Sequence, residues 1–133
     1  MSAGHIGISM FHILIIVPLF LYVAFVRGQL PSWIFPVLLG LGILIFVYHL
    51  YKTMIKWKAN SPSVWVNIIH VLVIAPMLIF IGAKSYDTPR WAYEVLAMLG
   101  FSALGYHLYS IVLEIQDMSD KQKMVTKMLT GSS

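Results

Sequence analysis

Four apolar runs occupy most of this chain: residues 6–26, 32–55, 63–83 and 90–113. Each is at or above the roughly 20 residues that a helix needs to cross the hydrocarbon of a bilayer, where every backbone N–H and C=O must be satisfied within the segment. The composition agrees, with 59% hydrophobic and 11% charged residues in a chain of 133, more apolar surface than the core of one small soluble domain can hide. The expected fold class is therefore all-α and integral to the membrane, with four transmembrane helices. Short connections holding Gly28, Pro31, Asn60, Pro62 and Pro89 make consecutive helices antiparallel neighbours, an up-down-up-down bundle.

The first run lacks a basic leader, so it reads as a retained span rather than a cleaved signal. Beyond residue 113 charges mix with spaced apolar residues, as in a cytoplasmic helical extension or a helix lying in the interface. The closing Gly131, Ser132 and Ser133 read as a remnant of cloning. Lys52, Lys56 and Lys58 follow the second run and Lys121, Lys123 and Lys127 the fourth, against Arg27, Lys84 and Arg90 on the other side. Both termini are expected in the cytoplasm.

Sliding the chain by 58 residues, with no gap, lays the sequence on itself. His12 falls on His70, Pro18 on Pro76, Pro31 on Pro89, Trp33 on Trp91, Gly42 on Gly100, and Tyr48-His49-Leu50-Tyr51 on Tyr106-His107-Leu108-Tyr109. Each copy holds two spans, so both copies enter the membrane from the same side. Two parallel hairpin repeats follow, residues 1–60 and 61–118, related by a pseudo-twofold along the membrane normal, with residues 119–133 as a polar cytoplasmic tail. Proline and tryptophan at the starts of the even helices read as architecture, while Pro18 and Pro76 lie inside helices and are expected to bend them.

His12, His49, His70 and His107 are the candidate site. They fall at one depth, on the order of 9 Å inside the cytoplasmic boundary at helical rise. A polar ring is costly in hydrocarbon unless it is paired, so each imidazole is expected to point into the bundle. Gly42 lies seven residues before His49 and Gly100 seven before His107, two turns along the same face. Such glycines serve close helix packing, or they clear a face for a flat prosthetic group.

Four readings of these residues stand side by side. In the first, the histidines ligate haem b in bis-histidine sites against Gly42 and Gly100, with Tyr48 and Tyr106 as hydrogen-bond donors; the protein then carries electrons or senses a redox partner or quinone. This layout resembles that of membrane cytochromes of b type, in which histidines from different helices hold the iron from both faces. In the second, the four imidazoles converge on a bare ion such as zinc or copper. In the third, the histidines with Tyr48, Tyr51, Tyr106 and Tyr109 form a titratable layer of a proton or ion channel or transporter. In the fourth, each ring is merely hydrogen-bonded within the fold.

Ligands for haem could pair across the copies, His12 with His70 or His49 with His107, setting one haem on the pseudo-axis, or within them, His12 with His49 and His70 with His107, giving two haems side by side. Ser9 and Asn67 each precede a histidine by three residues and could orient an imidazole. Glu94 lies four residues after Arg90, the spacing of an ion pair, or else serves as an outer proton acceptor.

Other classes lack support. The sequence contains no cysteine, which removes disulfides, thiolate ligands and iron–sulfur clusters. The +4 net charge is dispersed rather than gathered with aromatics, so nucleic acid is not a partner. No lysine lies deep enough for a retinal Schiff base, and no paired carboxylates or Ser-His-Asp arrangement is present for hydrolysis. The lipid bilayer is the expected partner, and further copies of the chain could bury small-residue faces.

Overall fold

Each apolar run becomes one long helix in the computed structural model, which describes residues 3–131. They are α1 (Gly4–Gln29), α2 (Ile34–Lys58), α3 (Val64–Asp87) and α4 (Arg90–Thr130), each long and apolar enough to cross a membrane. The fold is all-helical among the described residues. The helical extension expected beyond residue 113 is a direct continuation of α4, which runs without a break to Thr130. Ser132 and Ser133, on which that reading of the closing residues partly falls, lie outside the described residues.

The helix ends follow local chemistry. The carbonyls of Pro31 and Pro89 accept the amides of Ile34 and Ala92 at 3.0 Å, so each proline seats the first turn of its helix, where its missing N–H is harmless. α2 stops at Asn60, whose φ of 48° lies in the left-handed region. The amide of Asn60 then reaches the Trp57 carbonyl and that of Ser61 the Lys56 carbonyl, a Schellman closure with asparagine in the usual glycine place and Pro62 blocking continuation. Arg27 and Ser85, at φ 52° and 54°, begin the 3₁₀ turns Arg27–Gln29 and Ser85–Asp87 that end α1 and α3.

Pro18 and Pro76 do not produce simple bends. The five residues before each preceding position widen into a π turn, His12–Ile16 in α1 and His70–Ile74 in α3. The amides of Val17 and Ala75 reach back five residues to the carbonyls of His12 and His70. A proline ring clashes with the carbonyl four residues earlier and cannot donate to it, and one extra residue in the turn relieves that conflict.

The chain divides into two compact units, residues 1–22 with 98–133, and residues 23–97. In the second unit α2 and α3 run antiparallel. Gly42 lies where a Cβ would come 2.8 Å from Ile79 Cγ1, 2.9 Å from Ile79 N and 3.1 Å from Ala75 O. Gly82 is tighter, its added Cβ falling 2.5 Å from Leu39 N and 2.7 Å from Phe35 O. Leu38, Ala75, Leu78 and Ile81 are buried along this seam. In the first unit the start of α1 meets α4 antiparallel, with Gly100 opposite Leu21 and Phe20.

Two stacked imidazole pairs as the candidate site

Each unit brings two histidines face to face. In residues 23–97, His49 of α2 stacks on His70 of α3, with ring centroids 4.1 Å apart and planes 14° from parallel. In the other unit, His12 of α1 stacks on His107 of α4 at 4.3 Å and 20°. Neither pairing expected from the sequence is the one found: the first-helix histidine of each copy meets the second-helix histidine of the other copy.

Both pairs are held at Nδ1. His12 Nδ1 donates to the Ile8 carbonyl at 2.8 Å and His70 Nδ1 to the Val66 carbonyl at 2.7 Å. A carbonyl only accepts, so these two rings carry a hydrogen on Nδ1 and, when neutral, their lone pair on Nε2. Their facing partners are held from across the helix gap. His49 Nδ1 donates to Asn67 Oδ1 at 3.0 Å, and His107 Nδ1 shares a hydrogen bond with Ser9 Oγ at 3.2 Å. Asn67 and Ser9 do orient imidazoles, but those of the opposite helix rather than the histidines three residues along their own.

The π turns begin at His12 and His70 themselves. A single widened turn shifts everything beyond it by one helical position, so the histidine faces its partner while the continuing helix keeps its own packing face. Asn67 is buried, and its Nδ2 is a donor with no partner within the fold. Ser9 and His107 are buried as well. A buried polar cluster of this kind is stable only when its hydrogen bonds are met, which the Nδ1 bonds achieve for the rings.

The remaining expected site residues border the imidazole pairs or the helix seams. Tyr48 and Tyr106 touch their neighbouring histidines edge to face, at 5.1 and 5.2 Å, and both residues are partly exposed. Tyr51 and Tyr109 are exposed too. The tyrosines therefore flank the imidazoles without standing between them. Gly42 and Gly100 adjoin the neighbouring helix closely, so the space beside them is filled by Ile79 and Ala75 in one unit and by Leu21 and Phe20 in the other. Glu94 accepts from Arg90 Nε at 2.6 Å on an exposed surface, the ion pair that its spacing implied.

Two features escaped sequence reading. The cross-helix bonds of Ser9 and Asn67 needed the facing helix to be known. The π turns had a signal, a histidine six residues before a proline in both copies, but the backbone register they adopt is not a pattern of side chains.

The geometry bears on ligands. An imidazole binds a metal in its own ring plane, so two near-parallel stacked rings cannot both aim at one ion. Bis-histidine haem needs the rings end to end across the iron, their centroids about 6 Å apart with the porphyrin between them. Rings stacked at 4.1 and 4.3 Å leave no slot for it. Among the described residues, no three of His, Asp or Glu gather around a point that could hold a metal ion. No protein family matches this chain, and no curated protein or solved structure is significantly similar to it.

Proposed function

We propose that the chain is an integral membrane protein that binds and transfers protons at its two imidazole pairs, each pair exchanging one proton at a time. The observation carrying this reading is the stacking itself. Two unit charges 4 Å apart repel by about 4 kcal/mol at an effective dielectric constant of 20, so a pair that accepts one proton strongly resists a second. With Nδ1 anchored in His12, His49 and His70, proton exchange falls to Nε2. The ring can then gain or lose its proton without releasing its support. π turns, which recur at functional sites, lie where one ring of each pair is attached.

Its setting is a bilayer spanned by four helices, with the termini in the cytoplasm. Large apolar side chains such as Leu14, Phe25, Leu44, Leu72 and Met98 are mostly exposed, as a lipid-covered surface requires. The halves are tandem hairpin repeats about a pseudo-twofold along the membrane normal. This is supported by contacts that recur with 58 residues moved between partners: His49 on His70 and His107 on His12, Asn67 to His49 and Ser9 to His107, Gly42 on Ile79 and Gly100 on Leu21. Haem ligation ranks below proton transfer because it requires the stacked rings to separate and the glycine faces to empty.

The test is proton flux into vesicles carrying a trapped pH-sensitive dye under an imposed potential. The wild-type chain should acidify them, and His49→Gln combined with His107→Gln should reduce the rate to that of protein-free vesicles. Unchanged flux in the double variant would overturn the reading. So would a Soret band in the purified protein that disappears in the same variant, which would establish haem instead.

A further inference from the structure

The second half of α4 carries an apolar seam, half-buried at Ile111 and exposed from Ile115 onward. Ile111, Ile115, Met118, Gln122, Val125 and Leu129 follow one another at alternating steps of four and three. This is the a and d spacing of a coiled coil, with Gln122 the one polar residue on it. Every residue from 115 to 130 is exposed, Ile115 by 53% and Leu129 by 82%. The charges lie off the seam and are held along their own helix: Lys121 donates to Asp117 at 2.7 Å, and Lys123 stands 3.6 Å from Asp120.

We propose that residues 115–129 form a parallel two-stranded coiled coil with the same segment of a second copy of this chain. A seam with the 3.5-residue period matches another helix of the same period, which makes a copy of itself a complementary partner. Closing it withdraws on the order of 1,000 Å² from the two helices, near the lower bound for a specific interface. The parallel sense rests on the membrane-spanning reading, under which every copy sends α4 out of the same face. Gln122 then meets its own counterpart across the axis, where paired amides fix register and favour two strands at some loss of stability.

The absence of native cysteine makes the test direct. Single Met118→Cys, Val125→Cys, Asp120→Cys and Lys127→Cys variants of the full chain are oxidised in vesicles. Disulfide formation demands close Cβ atoms, so the two seam variants should yield covalent dimers at least about tenfold faster than the two outer ones. Equal rates at Val125 and Asp120 would overturn the proposal. So would no dimer at either seam position, or seam cysteines captured only by an added apolar thiol reagent in the lipid, the mark of a helix lying in the interface. Alkaline extraction of the same vesicles tests the spanning reading separately: protein that dimerises at the seam but is stripped from the lipid would sink that reading and leave the seam contact standing.

Discussion

Asn67 and Ser9 occupy the same place in the two copies, and the difference between them is informative. Both hold Nδ1 of a facing histidine, but only the amide brings a second polar atom, Nδ2, which is buried and has no partner within the fold. An unmet buried donor costs about 1–3 kcal/mol, so Asn67→Ser should remove that cost while keeping an oxygen near His49. Its thermal midpoint in detergent is expected to stay within a few degrees of wild type with flux retained. Asn67→Leu should lose flux, because the His49 ring then has no acceptor to hold it. Ser85 offers a second test at this scale. Its φ of 54° and ψ of −129° fall in a region that essentially only glycine occupies at ease, and Ser85→Gly should raise stability by about 1 kcal/mol in a denaturation series.

Helix packing separates the two roles that the glycines could have had. A Cβ at Gly42 would meet backbone atoms of α3, Ile79 N and Ala75 O, whereas one at Gly100 would meet only side-chain atoms of Leu21 and Phe20, which can turn aside. Gly42→Ala should therefore destabilise by about 1–3 kcal/mol, more than Gly100→Ala, and Gly82→Ala, aimed at Leu39 N, should be at least as severe. Glycines that merely cleared a cofactor face would give equal and small effects in the same unfolding measurement. The π turns make a further prediction. Pro76→Ala restores the missing donor and lets His70–Ile74 relax to an ordinary helix, turning His70 away from His49. Flux should fall although the helix itself becomes more regular by circular dichroism.

Across the whole chain, the four helices were legible because lipid-length apolar runs have few alternative folds. The histidines were legible for a related reason: a polar ring inside such a run needs a partner, and four matching positions name it. Their pairing was not, since a duplicated sequence makes every cross-copy and within-copy match look alike, and only the antiparallel contacts along α2 with α3 and α1 with α4 distinguish them. The tyrosines adjoin the histidines in sequence and touch them edge to face without pointing the same way. Consecutive residues on a helix point about 100° apart, so a side chain beside an inward histidine faces elsewhere. The seam of α4 was visible as spacing in the sequence, but its meaning depended on finding the helix unbroken to Thr130 and exposed from Ile115 onward.

Each stacked imidazole pair is proposed to hold a single exchangeable proton. Nitrogen-15 NMR of histidine-labelled protein in lipid, with His5→Gln to leave only the four paired rings, counts imidazolium directly as the medium is acidified. A plateau at one imidazolium per pair is expected from the repulsion between rings whose centroids lie 4.1 and 4.3 Å apart. Four rings charging together in one step would contradict it, as would Nδ1 signals that show no hydrogen bond in the neutral state.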